Sequence, residues 1–227
     1  MPRYDVPTVP EYITVHLGPP DSDAANVTLS FPDYIKNVAS SEIYPTWPEA
    51  SLRANIYAQI TFALNRVFTE WYRSRGYDFD ITSSTQYDQA FVNGREIFDN
   101  ISRIVDEVFN NYVVRQGSIE PLFTQFCNGT TVTCDGLSQW GTVTLANRGF
   151  TPYEMLQNYY GDDINIVRNA PVAPYVPSYP GTPCGIGSSG NEVRTIQVEL
   201  NRIGNNYPAI PKIMPANGLY GEATAEA

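Results

Sequence analysis

Residues 40–55, S-S-E-I-Y-P-T-W-P-E-A-S-L-R-A-N, decide how the rest of the chain is read. A turn rich in proline and aromatic residues ends there and a long amphipathic helix begins. Thr46 and Glu49 have the spacing of a capping box, and Pro48 suits the first turn, where its missing N–H costs little. Beyond them Leu52, Ile56, Ile60, Ala63, Leu64, Val67, Phe68 and Trp71 recur at three- and four-residue steps. That periodicity predicts a helix from about Trp47 to about Arg75 with a broad apolar stripe that needs a partner surface, and Gly76 as its stop. Glu42 falls just outside this helix, between Ser41 and Ile43 and close to Tyr44 and Trp47. A carboxyl so placed is partly desolvated, which favours the neutral form that a general acid needs. The plainer account of a lone acid is a solvated loop residue.

Upstream, residues 11–17 and 26–31 are rich in β-branched side chains and flank the turn G-P-P-D-S-D, which predicts a hairpin. The single histidine, His16, lies in its first strand, where a satisfied or surface role is commoner than a catalytic one. Ser30, Pro32 and Asp33 then open a short helix carrying Tyr34, Ile35 and Val38. Downstream, Ile97, Ile101, Ile104, Val105, Val108 and Phe109 form the apolar face of a second helix from about Arg95 to Tyr112, expected to share a core with the first. The stretch I-E-P-L-F-T-Q-F-C after Gly117 reads as a strand followed by an N-G-T-T turn and another short strand. Helical signals return from Ser138 to a stop at Gly149, and T-P-Y-E at Thr151 to Glu154 caps a further helix that Gly161 ends. Ile164 to Val167 reads as a last short strand. The fold class is α+β: long amphipathic helices packed with short antiparallel strands.

Residues 169–183 are too rich in proline for helix or central strand and read as a semi-rigid linker between a unit at 1–168 and a second at 184–227. The second unit is expected to be small, incomplete and all-α, with Val193, Ile196 and Leu200 on one edge, and marginal as an independent fold. The 227 residues carry a formal charge of −10, which argues against nucleic acid or anionic lipid as partners. No stretch reaches the roughly 20 apolar residues that span a bilayer, and the first residues lack the apolar core of a secretory signal. Of the three cysteines, Cys127 and Cys134 bracket a turn that a disulfide could span, leaving Cys184 over. Three thiols in a reducing cell is the alternative.

Taken together, F-P-D-Y-I-K-N-V-A-S-S-E-I-Y-P-T-W-P-E-A-S-L-R-A-N resembles the signature of the stage II sporulation protein D and amidase-enhancer family. In that pattern a tyrosine-bearing helix leads to Ser-Glu-Met-Pro, Trp-Pro and Leu-Lys-Ala-Gln. Tyr34, Ser41, Glu42, Trp47, Pro48, Leu52, Arg53, Ala54 and Asn55 fall in step with it, arginine replacing lysine and asparagine replacing glutamine. C-N-G-T-T-V at Cys127 to Val132 resembles the family's Ser-Gly-Gly-Lys-Thr turn. G-L-S-Q-W-G at Gly136 to Gly141 resembles its Gly-Met-Ser-Gln-Tyr-Gly block. Residues 187–201 and 217–224 are similar to the three-helix peptidoglycan-binding domain, without its closing helix.

The resemblance implies a lytic transglycosylase acting on peptidoglycan glycan strands, with Glu42 as the catalytic residue. It implies Ser41, Arg53, Ser138 and Gln139, with the ring faces of Tyr44, Trp47 and Trp140, as substrate contacts, although rings at helical spacing are more often core. No cofactor is expected. Many relatives carry a Cys/His metal site in the segment matching Asp80 to Phe91, where Thr82, Gln86 and Tyr87 cannot supply thiolate and imidazole ligands, so no metal is expected either. Relatives also have an arginine where Ile60 stands and a histidine where Thr133 stands. The competing expectation is a non-catalytic wall-binding protein that stimulates a cell-wall amidase. Either implies a place in the bacterial cell wall or spore envelope.

Overall fold

The computed structural model describes residues 7–175, 182–205 and 207–227. The chain begins with strands Val9–Pro10 (β1), Tyr12–His16 (β2) and Asn26–Ser30 (β3). The helix Phe31–Glu42 (α1) follows directly, capped by the Ser30 hydroxyl, which accepts the Asp33 N–H at 3.2 Å. Next come the helix Glu49–Phe68 (α2), the strand Ile81–Thr82 (β4), the helix Asp99–Val108 (α3) and the strand Tyr112–Arg115 (β5). Two short strands, Phe126–Cys127 (β6) and Leu137–Ser138 (β7), precede the helices Gln139–Asn147 (α4) and Pro152–Tyr160 (α5). Strands Ile164–Val167 (β8) and Val172–Ala173 (β9) close the first compact unit, which runs to Pro174; the second, Tyr175–Ala227, holds helices Asn191–Ile203 (α6) and Glu222–Glu226 (α7). The class is α+β, and no helix among the described residues is long and apolar enough to cross a membrane.

β2 and β3 form the expected antiparallel hairpin, and β4 joins β2 in parallel. His16 is a satisfied structural side chain: its ring nitrogens lie 2.8 Å from Asn26 Oδ1 and 3.2 Å from Ser22 Oγ, and its ring stacks on Phe79. β5 and β8 pair antiparallel, and β1 pairs with β9 in parallel. The first unit thus takes in Val172 and Ala173, because the proline-rich stretch supplies an edge strand before it leaves the unit; residues 176–181 of the expected linker lie outside the described residues.

At the centre is α2, buried on every side from Ala54 to Val67, with α1, α3, α4, α5, β4 and β5 packed against it. It begins without the predicted capping box. Pro48 is the N-cap and makes no side-chain cap bond, while the Glu49 carboxylate turns to Arg53 at 2.7 Å and Arg103 at 3.2 Å. Two guanidinium groups thus take the carboxylate in place of a single backbone N–H, each adding an ionic partner to the hydrogen bond. The helix also stops earlier than predicted, at Phe68, where Glu70 turns to φ 49°; a short 3-10 turn, Arg73–Arg75, carries the chain to Gly76. Phe68 and Trp71 therefore leave the buried stripe and are exposed. α3 is shorter than predicted because Tyr112 is drawn into β5. The predicted strand over 119–127 shrinks to β6, since Pro121 lacks a ladder N–H and makes only an isolated bridge to Val114.

The segment from Ser83 to Val92 has no regular structure and is fastened by side chains. The Asp88 side chain is fully buried and accepts from Arg66 Nε at 2.8 Å, the Tyr72 hydroxyl at 2.6 Å, and the N–H and hydroxyl of Thr82 at 2.9 and 2.7 Å. Burial, then the hydrogen bond to the Asp88 carboxylate, pushes the Tyr72 phenol far above its ordinary range. Next to Asp88, Gln89 accepts from the Tyr34 hydroxyl at 2.9 Å and donates to the Gln59 carbonyl at 3.1 Å.

In the second unit the buried edge of α6 is Val193 with the polar Gln197, in place of the expected apolar run. Gln197 donates to the Leu219 carbonyl and the Thr224 hydroxyl, both at 2.9 Å, and accepts the Gly218 N–H at 2.8 Å.

Removing one partner of a buried ion pair leaves the other charge uncompensated, at a cost of about 3–5 kcal/mol. Asp88→Ala is therefore expected to lower unfolding free energy by that amount in urea titration. A loss below about 1 kcal/mol, the level of a surface pair, contradicts the role given to Asp88.

Candidate active site

Glu42 is the last residue of α1, one position inside the helix and not in the turn that follows. Its side chain is half-buried, and each carboxylate oxygen accepts one hydrogen bond: Oε1 from the Ala90 N–H at 2.8 Å and Oε2 from the Gln139 side-chain amide at 3.2 Å. Ala90 belongs to the segment fastened by Asp88 and Gln89. Asn37 secures its far end, donating to the Val92 carbonyl at 2.8 Å and accepting the Val92 N–H at 3.0 Å. The Tyr34 phenol lies under the same segment. Burial, then the Asp88 and Glu42 carboxylates, push it well above its ordinary range.

Gln139 opens α4 and is buried. Ser138 is the N-cap of that helix, its hydroxyl accepting the Gly141 N–H at 3.0 Å. The glycines of this block are sites of close approach. A Cβ at Gly136 would lie 1.9 Å from the Gln125 carbonyl oxygen, and one at Gly141 would lie 2.1 Å from the Tyr159 hydroxyl. Gly129, at φ 78°, presses on the Ser138 side chain in the same way.

β6 and β7 pair in parallel, Cys127 opposite Ser138, so the loop between them is not the hairpin its sequence suggests. Within it Cys127 and Cys134 are disulfide-bonded and Cys184 is free. Asn128 organises the loop by accepting the N–H groups of Thr130, Thr131 and Val132 at 2.9, 3.0 and 3.0 Å. The Asn128 carbonyl in turn accepts the Trp140 N–H at 3.2 Å, tying the loop to α4 beside Gln139.

Three rings from the two sequence blocks that hold Glu42 and Gln139 meet one another. Trp47 and Trp140 have centroids 4.8 Å apart, and Tyr44 lies 5.7 Å from the first and 5.9 Å from the second. Their exposures divide them: Trp47 is 8% exposed and supports the other two, whereas Tyr44 at 59% and Trp140 at 42% present faces to solvent.

The structure thus brings Glu42, Gln139, Tyr44 and Trp140 together, with Ser138 as the cap that aims Gln139. It does not bring Ser41 or Arg53 to the pair. The Ser41 hydroxyl donates to the Asn37 carbonyl of its own helix at 2.8 Å. Arg53 bridges Glu49 and Glu107, because two carboxylates lie within its reach on that side of α2. Sequence reasoning missed the Ala90 N–H, since a backbone donor leaves no side-chain signal.

No family model matches the chain. It is similar to an uncharacterized protein of Brachyspira hyodysenteriae (strain ATCC 49526 / WA1), 30% identical over 105 residues that make up 45% of this chain and 27% of that protein.

With Cys127 and Cys134 bonded, the denatured, unreduced chain is expected to titrate one thiol, Cys184, and the reduced chain three. Cys127→Ser is expected to lower stability by roughly 2 kcal/mol, the chain-entropy value for so short a loop. Three titratable thiols before reduction contradict the assignment.

Proposed function

We propose that this chain cleaves peptidoglycan glycan strands as a lytic transglycosylase of the stage II sporulation protein D type, with Glu42 as its single general acid and base. The observation that carries the proposal is the meeting of Glu42 with Gln139 and the exposed rings of Tyr44 and Trp140, residues drawn from two sequence blocks nearly a hundred positions apart. Aromatic faces beside a carboxyl suit a sugar, whose C–H face stacks on a ring while its hydroxyls find polar partners.

One acid is enough if the substrate supplies its own nucleophile. Glu42, protonated, gives its proton to the glycosidic oxygen as the bond to the anomeric carbon breaks. The C6 hydroxyl of the same sugar forms the new bond to that carbon, and its proton passes to the Glu42 carboxylate. The products are an anhydro-ended strand and a strand with a free hydroxyl, no water is consumed, and the acid is regenerated. Glycosidases that use water or a covalent intermediate need a second carboxyl across the bond. The side chain of Asp88, the acid nearest Ala90 in sequence, is fully buried and committed to Arg66, Tyr72 and Thr82, which favours the one-acid route. Gln139 keeps Glu42 in place and remains neutral throughout the cycle. The wall or spore envelope is the location this substrate implies.

A binding role, presenting glycan to an amidase, is the second reading. It draws on Ile60, a fully buried apolar residue where relatives carry arginine.

Mass spectrometry of digested peptidoglycan separates the two. Anhydro-ended products are expected from the unaltered chain, and Glu42→Gln is expected to reduce their rate by about 10²–10⁴, the usual contribution of a positioned acid and base. Equal rates from both proteins overturn the proposal, and binding without cleavage by either supports the second reading.

A further inference from the structure

We propose that Thr142 is a positioning residue that fixes the rotation of α4 and, through it, the hold of Gln139 on Glu42; its kinetic consequence rests on the function proposed above. Thr142 is fully buried, and its hydroxyl is used to capacity. Its one proton goes to the Gln139 carbonyl at 2.6 Å. Both lone pairs are then filled by donors from α2: the Asn55 side-chain amide at 2.8 Å and the Ser51 hydroxyl at 2.7 Å. Ser51 has to be the donor in that contact, because the Thr142 proton is already spent. The Asn55 amide also donates to the Ser51 carbonyl at 2.9 Å, which fixes which way it faces.

Holding two helices together does not require this arrangement. Ala54 of α2 and Leu145 of α4 already pack with Met155 in an apolar cluster beside it. Apolar contact is non-directional, so it supplies adhesion without fixing the rotation of one helix against the other. A hydroxyl with three directional partners fixes that rotation.

The arrangement also has a cost: Asn55 Oδ1 is buried without a hydrogen-bond partner among the described residues. The gain lies three residues upstream of Thr142. The Gln139 amide reaches Glu42 at 3.2 Å, the long end of the range for such a bond, so a shift of a few tenths of an ångström in the first turn of α4 breaks it. Loss of a positioning contact of this kind lowers the catalytic step more than substrate binding.

The test uses the full chain with Thr142→Val, which keeps the shape and removes the hydroxyl, and Thr142→Ser, which keeps the hydroxyl. With peptidoglycan as substrate, Thr142→Val is expected to lower kcat by about tenfold or more with KM within about twofold, and Thr142→Ser to stay within about threefold of the unaltered chain. The side-chain amide resonances of Gln139 in 1H–15N NMR, assigned with Gln139→Ala, are expected to move in Thr142→Val and to hold in Thr142→Ser. Should Thr142→Val not fold, Ser51→Ala removes one donor only and is expected to move the same resonances in the same direction. Equal loss in the Val and Ser variants, or Gln139 resonances unmoved by Val, overturns the inference. If the unaltered chain cleaves no glycan, the proposed function fails and the NMR comparison alone decides the role of Thr142.

Discussion

The two oxygens of Glu42 are held from opposite sides, one by a backbone N–H from an irregular segment and the other by a side chain at the head of a helix. Neither donor would stay in place alone. A loop N–H is only as well placed as its loop, and a glutamine only as well aimed as its backbone. Both are secured to the same buried helix: the loop through Arg66 and the Gln59 carbonyl, and the glutamine through Ser51 and Asn55 by way of Thr142. The position of the carboxylate thus depends on α2, which itself contributes no atom to the pair.

That arrangement explains an oddity of α2. A helix buried on all sides is ordinarily apolar all round, yet this one carries Ser51, Asn55, Gln59, Thr61, Asn65 and Arg66 in its interior. Most of these side chains are used on neighbours rather than on the helix itself. Asn65 donates to the Pro121 carbonyl at 2.8 Å, and the Thr61 hydroxyl accepts the Val113 N–H at 2.9 Å. Irregular chain cannot satisfy its own backbone groups when it packs against a core, so the core element must supply the partners.

The sequence made the regular parts legible and the fastenings illegible. The capping box of α5 was readable because Thr151, Pro152 and Glu154 lie within one turn, and both of its bonds are present. The hairpin was readable from alternation and its turn. At Thr46 and Glu49 the same local logic misled, because Glu49 is taken by Arg53 one turn on and by Arg103, 54 positions away. Asp88 and Arg66 likewise bear no sequence pattern that announces a pair. Of the candidate site, Glu42, Gln139, Tyr44 and Trp140 stand together as the resemblance implies, whereas Arg53 does not join them: spacing along a helix does not say which neighbours compete for a side chain.

The parallel pairing of β6 with β7, closed by the bond between Cys127 and Cys134, separates the tip of that loop from its base. The base leads into Gln139, which faces Glu42, and Gly129 packs on Ser138 there; the tip, from Thr130 to Val132, hangs from Asn128. Thr130 to Thr133 are exposed, so changes there alter the surface of the loop and leave its base in place. An evolving lineage can redraw that surface while the base that seats Gln139 is kept.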